Sequence, residues 1–373
     1  MRRIGVGDVR VSARATANVL DALSQNRLTA GRWTKEFETG FARRHGRNFA
    51  CFVNSGTDAL RIGLAALKEV HGWKRGAKVA VPSVTFVATL NAVLQVGLQP
   101  YIVDIETEHF GMDLDRFPSD VVAAVPVNLF GHVNPTMRQI AASGLPCVTD
   151  SCETVGMTGC ADGDVSAFST YAAHILTTGV GGLATTDDPE LAALIRSYAN
   201  HGRSGIYTGI DQELGSIEVI EARFHFDRKG YSSRATEMEA AIGCAELASL
   251  DANLAARRRN AAALTFGLID LPIVIPRWDN DDSAWMMYPI LTANRFTRDR
   301  LVQHLEANGI ETRMLLPLTS QPYVRRMFKH DPDVLFPVAH RVNETGFYIG
   351  CHQYLDADDT DYCCEVMAAF NWR

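Results

Sequence analysis

The stretch Asp150–Asp188, DSCETVGMTGCADGDVSAFSTYAAHILTTGVGGLATTDD, decides the fold. It follows the run Cys147-Val148-Thr149, so Asp150 is predicted at the C-terminal edge of a strand. Open α/β sheets hold their ligands at that edge. Glu153 follows on an acidic turn. A second strand, ending near Ala167-Phe168, leads into a loop carrying Ser169 and His174. Gly179, Gly181 and Gly182 then allow a tight turn into a third strand, Leu183-Ala184-Thr185-Thr186.

Upstream, the apolar run Phe49-Ala50-Cys51-Phe52-Val53 precedes Asn54-Ser55-Gly56-Thr57 and a helical pattern from Ala59 to Leu67. A strand, a small polar turn and a helix N-terminus together form an anion site. Strand and helix patterns alternate from Phe49 to about Thr186, which predicts a doubly wound sheet. One of these predicted strands is Val121 to Phe130. Val79-Ala80-Val81-Pro82 ends another, followed by Ser83 to Thr89. Residues 1–30 and Trp33–His45 read as helices, the first with Val19, Leu20 and Leu23 at helical spacing. Pro189–Ala199 is helical, and a polar excursion over 204–228 precedes a helix from Glu237 to Leu250. From about residue 270 the chain reads as a small α/β unit. It has a strand over Trp285–Ile290, a helix over Thr297–Asn308 capped by Thr297, and a return strand over Ile310–Arg313. The division expected is 1–250, with the N-terminal helices, and 251–373.

Together, the SGT turn at 55–57 and the Asp150 stretch resemble the DegT/DnrJ/EryC1/StrS family of sugar aminotransferases. The resemblance runs from Gly31-Arg32-Trp33 to about Leu355. It implies a fold-type-I, pyridoxal phosphate (PLP)-dependent aminotransferase-like α/β fold: a large domain with a doubly wound mixed sheet, and a smaller C-terminal α/β domain. By the same resemblance, Ser55, Gly56, Thr57 and Ser169 hold the cofactor phosphate, and Asp150 pairs with the pyridine nitrogen. Phe86, in Thr85-Phe86-Val87-Ala88-Thr89, stacks on the ring; the alternative is an ordinary core phenylalanine. The alternative for Asp150 is a turn cap. His201-Gly202-Arg203 resembles the family's H-G-R turn. Gly230 to Arg234 resembles a stretch that reaches the partner subunit's phosphate, with Ser232 where the family usually has Asn. That implies a homodimer.

The family's Schiff-base lysine falls five residues after the serine, where this chain has His174. No lysine occurs between Lys78 and Lys229. Tyr171 to Thr177 resembles a branch with the same change, the pyridoxamine phosphate (PMP)-dependent sugar 3-dehydratases of the GDP-4-keto-6-deoxymannose 3-dehydratase type. Gln321-Pro322-Tyr323 and Phe347-Tyr348-Ile349-Gly350 resemble that branch near its sugar nucleotide, whereas Val127-Asn128-Leu129-Phe130-Gly131 resembles the ordinary aminotransferases. Glu153 fits the branch's acidic residue near the cofactor O3′; the alternative is a surface glutamate in a turn. The resemblance implies a nucleotide-sugar substrate, an amino donor such as glutamate, and PMP or PLP held without a covalent bond. His174 then serves as acid and base. The alternatives are a non-catalytic binding protein of this fold, or a nucleotide-sugar 4-aminotransferase lacking the usual lysine.

Composition narrows the rest. A chain of 373 residues, 47% hydrophobic, can bury a large core. A net charge of −7 with no dense Lys/Arg stripe argues against a nucleic-acid surface. The N-terminus lacks a secretory h-region and no apolar run reaches membrane-spanning length, so a cytoplasmic location is expected. The eight cysteines form no CxxC pair or zinc spacing, and none lies between Gly202 and Gly230. No metal and no iron–sulfur cluster is therefore expected, although Cys152 matches one ligand position of a cluster-bearing subgroup. His132, His201 and His352 are weaker site candidates, and Arg257-Arg258-Arg259 reads as a solvated helix face.

Overall fold

The computed structural model describes residues 2–204, 217–222, 224–279, 283–315 and 317–372. Part of the polar excursion, 205–216 and 223, lies outside the described residues. The first seven strands are β1 (Phe49–Val53), β2 (Lys78–Pro82), β3 (Gln99–Val103), β4 (Ala123–Ala124), β5 (Val148–Asp150), β6 (Val165–Ser169) and β7 (Gly182–Thr186). They run in the order β1-β7-β6-β5 and, beside these, β4-β2-β3. Parallel bridges Ala124↔Cys147 and Val127↔Asp150 join the two groups into one layer. Only β7 runs against its neighbours, so the sheet is mixed. Every residue of β6 is buried, as expected for a strand covered on both faces.

The predicted strand Val121–Phe130 is much shorter. Only Ala123–Ala124 is extended, and Leu129–Gly131 forms a 3-10 turn with Phe130 at φ 60°. The run is apolar because the turn is buried, not because it continues the strand.

Helices α1 (Ala13–Ser24) and α2 (Arg32–Arg44) pack on a long helix further along the chain. α1 buries Ala15 and Ala22, leaving Leu20 and Leu23 exposed. α3 (Gly56–Val70) covers β6 and β7, and α4 (Val87–Gln95) follows β2. Next come α5 (Pro135–Ala142), α6 (Pro189–Ala199), α7 (Ile217–Ala222) and α8 (Glu237–Leu268). α8 opens with a Thr236–Glu239 capping box and runs unbroken for 32 residues, through position 250.

The small sheet comprises β8 (Met287–Leu291), β9 (Thr312–Met314) and β10 (Gly346–Gly350), antiparallel in the order β8-β10-β9. Its helix α9 (Arg295–Ala307) is capped by Asn294, which accepts from the Thr297 N–H at 2.9 Å, so Thr297 lies inside the first turn. The small unit docks on the carboxyl end of β2. The Leu318 N–H donates to the Ser83 carbonyl at 2.9 Å, and the Tyr323 hydroxyl to Asn91 Oδ1 at 2.8 Å. The buried Asp104 carboxylate, beyond β3, accepts the Val338 and Ala339 N–H groups. The segment 317–323 is thereby held against the turn that carries Phe86.

Candidate active site

The carboxyl ends of β1, β2, β5 and β6 share one edge of the sheet. Four loops leave it, carrying Ser55 to Thr57, Thr85-Phe86, Asp150 to Glu153, and Ser169 to His174. Ser55 is the N-cap of α3 and accepts from the Asp58 N–H at 3.1 Å. The free N–H groups of that helix start, with its dipole, suit a phosphate. Gly56 is required there by close approach: a Cβ would lie 2.8 Å from Cys152 Sγ and 2.9 Å from Ser169 Cβ. Gly182 backs the same turn, where a Cβ would meet the Gly56 nitrogen at 2.5 Å. Thus Ser55, Gly56, Thr57 and Ser169 are brought together.

Asp150 is buried at the end of β5. It accepts from Thr89 Oγ1 at 2.8 Å and from the Cys152 N–H at 3.3 Å. Burial pushes its carboxyl above the usual carboxylate range, against those two donors. A cation placed beside it would relieve that cost, as a protonated pyridine nitrogen does. Phe86, expected to be either a stacking platform or a core residue, is 57% exposed. It caps α4 with its ring out of the core, beside the Asp150 edge.

Glu153 is no surface residue: it is buried and accepts the Phe130 N–H. Burial pushes its carboxyl up to about 8, with the Asp150 charge adding to the rise. Its charge also faces the Tyr348 phenol. His174 lies half-buried on the turn leaving β6, with its ring edge-on to Tyr171 at 6.1 Å. Its buried Nδ1 has no partner of hydrogen-bond geometry among the described residues. Burial and the positive charge of Arg257 hold the ring down at about 4, with the Tyr171 backbone acting weakly the other way.

Ser232 does not join this cluster within the protomer; it is exposed and accepts from Arg234 Nη2 at 3.1 Å. His201 contacts that same Arg234. His132 is buried in a stack with His109 and Trp278. His352 lies buried beside Arg257. The solvated-face reading of the arginine run is wrong for Arg257, which is buried; Arg259 alone of the three is exposed. Among the described residues, no group of three or more His, Cys, Asp or Glu side chains could hold a metal ion, and no helix is long and apolar enough to cross a membrane.

The sequence reading gave no role to Thr89. Its signal was the Thr85–Thr89 spacing: the hydroxyl just before the N-cap Phe86 and the one in the first turn of α4 lie 2.8 Å apart, and Thr89 reaches Asp150. The residues present fit a PLP-type cofactor: a glycine-bound helix start, an exposed aromatic face and, among the described residues, a buried carboxylate lacking a cation and an imidazole with an unpartnered nitrogen.

The chain is 28% identical over 95% of its length to GDP-4-keto-6-deoxy-D-mannose 3-dehydratase of Escherichia coli O55:H7, covering 96% of that protein. It is also 28% identical over 99% of its length to GDP-perosamine synthase of Caulobacter vibrioides, covering 98% of it. Relatives thus divide between 3-dehydratases and sugar aminotransferases. Solved structures of GDP-4-keto-6-deoxymannose-3-dehydratase, with hydrated PLP (the E. coli enzyme), with GDP-perosamine and with a PLP–glutamate geminal diamine, share the fold. Each has a TM-score of 0.86 at 24% identity, covering 98% of this chain and 100% of the other. The model of the DegT/DnrJ/EryC1/StrS aminotransferase family matches residues 10–368, so the chain belongs to that family and is a PLP-dependent, nucleotide-sugar-modifying enzyme.

Proposed function

We propose that this enzyme removes the C3 hydroxyl of a nucleotide-linked 4-keto-6-deoxyhexose, using non-covalent PMP, with His174 as acid and base. The observation that carries the reading is His174 itself. An imidazole stands on the turn where a Schiff-base lysine is expected, and no lysine lies between Lys78 and Lys229. Histidine has no primary amine with which to tether PLP, yet it moves protons readily.

When bound, PMP supplies an amine for the 4-keto group and an electron sink for bond cleavage. Ser55, Gly56, Thr57 and Ser169 would hold its phosphate, and Phe86 would cover one ring face. Asp150 would keep the ring nitrogen protonated, and Glu153 would face O3′. His174 would take the proton from C4′ on an imidazole nitrogen and return it to the departing C3 oxygen. Glutamate is the proposed amino donor, supported by the glutamate adduct in the related dehydratase structure. We place the enzyme in the cytoplasm as a homodimer, Ser232 of each protomer reaching toward the phosphate cup of the other.

The test is mass spectrometry of products from GDP-, CDP- and dTDP-linked 4-keto sugars, with PLP and glutamate supplied. Loss of the C3 oxygen supports the proposal. Amination at C4 would instead favour a transaminase, the reading to which Val127–Gly131 leans. No turnover on any substrate would favour a binding protein.

A further inference from the structure

The N-terminal stretch Arg2-Arg3-Ile4-Gly5-Val6-Gly7-Asp8 crosses the small unit before α1 begins. Ile4 is buried and pairs in parallel with Ile310, just before β9. Its N–H donates to the Gly309 carbonyl at 2.9 Å, and its carbonyl accepts the Glu311 N–H at 2.8 Å. The Val6 N–H donates to Glu311 Oε2 at 3.0 Å. Gly350, the last residue of β10, lies against the same stretch: a Cβ there would meet the Gly5 carbonyl oxygen at 2.1 Å. Any larger residue at 350 would push the crossing backbone away. Further on, the Arg10 guanidinium lies over the Tyr354 ring at 4.7 Å, and its Nε donates to Asp8 Oδ2 at 3.1 Å. Both ends of the stretch are thus fastened to the C-terminal part of the chain.

Between those fastenings the stretch touches the His174 turn. Gly7 approaches Ala173, the residue before His174: a Cβ on Gly7 would stand 3.6 Å from the Ala173 Cα, Cβ and carbonyl oxygen. That is ordinary contact distance, so Gly7 packs directly on the turn. The turn is closed by a backbone bond from the His174 N–H to the Tyr171 carbonyl at 2.9 Å. Loops are more mobile than the elements they connect. A general base, however, has to stay within hydrogen-bond reach of the proton it takes. No hydrogen bond to the buried Nδ1 orients the His174 ring among the described residues. The place of the ring therefore follows the backbone of the turn, and Gly7 is in contact with that backbone.

We propose that residues 4–7 are a strap that seats the small unit on the His174 turn, with Gly7 as a positioning residue for His174. The inference rests on the reading of His174 as acid and base, and it names what keeps that ring within reach of C4′ and of the C3 oxygen. It also gives the small unit a part in the reaction. A shift of β10 or of the corner at 309–311 moves Gly5 and Val6 and, through Gly7, the base. Misplacing a reacting group by about 1 Å costs up to about a hundredfold in rate.

The test uses the full-length protein. Gly7→Cys combined with Ala173→Cys sets two Cβ atoms 3.6 Å apart, a separation that disulfides span. Oxidised glutathione should close this bridge with and without PMP, and peptide mapping should recover it. Failure to close would show that the strap does not sit on the turn. The oxidised and reduced forms differ only in the bridge, so single-turnover loss of the C3 oxygen should run at the same rate in both. A rate that collapses on oxidation and returns with dithiothreitol would mean that the turn has to leave the strap, and the proposal would fall. Displacing the strap is what should slow the reaction. Gly350→Ala, which drives the Gly5 backbone off β10, should lower the single-turnover rate about tenfold to a hundredfold with PMP affinity unchanged. Closing the 7–173 bridge in that variant should recover most of the loss, which a purely structural role for Gly350 would not allow. A folded Gly350→Ala that reacts at the parental rate would overturn the proposal. If Gly350→Ala does not fold, Glu311→Ala, which removes the Val6 anchor, is judged by the same outcomes. The bridge is read without substrate, so the two readings fail separately. A bridge that does not close in a protein that deoxygenates sinks only the strap. A bridge that closes in a protein that deoxygenates none of the sugars sinks the assigned reaction, and with it the positioning of a base.

Discussion

Thr89 and Asp150 are joined by a 2.8 Å hydrogen bond between two separate strand–helix units, from the hydroxyl near the start of α4 to the carboxylate that ends β5. Thr89 has one proton to give, so the 2.8 Å contact between Thr85 and Thr89 must run from Thr85 to Thr89. The chain of donors ends on the charge that the cofactor nitrogen would meet. Thr89→Val removes the last donor at nearly constant volume. Asp150, already pushed up by burial, should rise further and offer less anion to a pyridinium. Hydrogen bonds to charged groups are worth about 1.5–3 kcal/mol, so PMP should bind roughly tenfold or more weakly. Equilibrium dialysis measures this, and unchanged affinity would remove Thr89 from the site.

Glu153 makes stability depend on pH. Its carboxyl is raised from 4.5 to about 8 in the folded protein, chiefly by burial. Between those values the folded state holds a proton that the unfolded state has released. Stability from this group is therefore full below about 4.5 and is lost as pH rises through about 8. Glu153→Gln still accepts the Phe130 N–H but does not titrate. Its melting temperature relative to the parent, measured without cofactor, should climb across this window and level off above it. The climb should reach about 2 °C or more, as a change of about 1 kcal/mol gives in a large domain. Parallel curves for the two proteins would show that Glu153 is ionised at neutral pH.

Gly182 is where the turn after His174 presses on the start of α3. A Cβ there meets the backbone of Ser55 and Gly56, which cannot swing aside as a side chain can. Gly182→Ala should cost about 1–3 kcal/mol by overpacking and should also disturb the phosphate cup. Ser55→Ala, losing only a cap, should cost about 0.5–2 kcal/mol. Thermal melts with and without PMP separate the two effects. If Gly182→Ala keeps parental PMP affinity, the cup does not depend on this contact.

The parts of this site that could be read from the sequence were those written in local pattern. β1, the Ser55 turn and α3 follow from an apolar run, a capping residue and helical spacing. Asp150 follows from its place at a strand end. Arg257 escaped because three adjacent arginines read as solvent-facing. Helical spacing held the answer: Leu250, Leu254, Ala261, Leu264 and Leu268 define a stripe on which position 257 falls. The Val121–Phe130 run misled for a different reason. Burial makes a turn as apolar as a strand, and nothing local announced the left-handed Phe130. The Thr89–Asp150 bond joins residues 61 positions apart, which no local pattern encodes.

Ser232 lies outside the cluster of its own protomer, so its proposed part in the site needs a second copy. Light scattering should give twice the protomer mass at micromolar concentration, and dilution to monomer should abolish turnover. A monomer with full activity would leave Ser232 no part in the reaction.

His174 carries the sharpest prediction. Borohydride reduction of the parent with PLP, then peptide mapping, should find no pyridoxyl-lysine, because no lysine lies between Lys78 and Lys229. His174→Lys should be labelled at that position, since the turn after β6 already presents it to the site. The same variant should lose deoxygenation, because a lysine that captures PLP competes with untethered PMP. His174→Asn tests the proton transfer separately. It fills similar space and keeps a polar group, so cofactor binding should persist, but an amide is not a base. Loss of one general base typically costs about two to four orders of magnitude. Single-turnover removal of the C3 oxygen should therefore slow by that much in His174→Asn while PMP affinity holds. Equal rates in His174→Asn and parent would mean that another group moves the proton, and the imidazole would then be only a spacer where a lysine is expected.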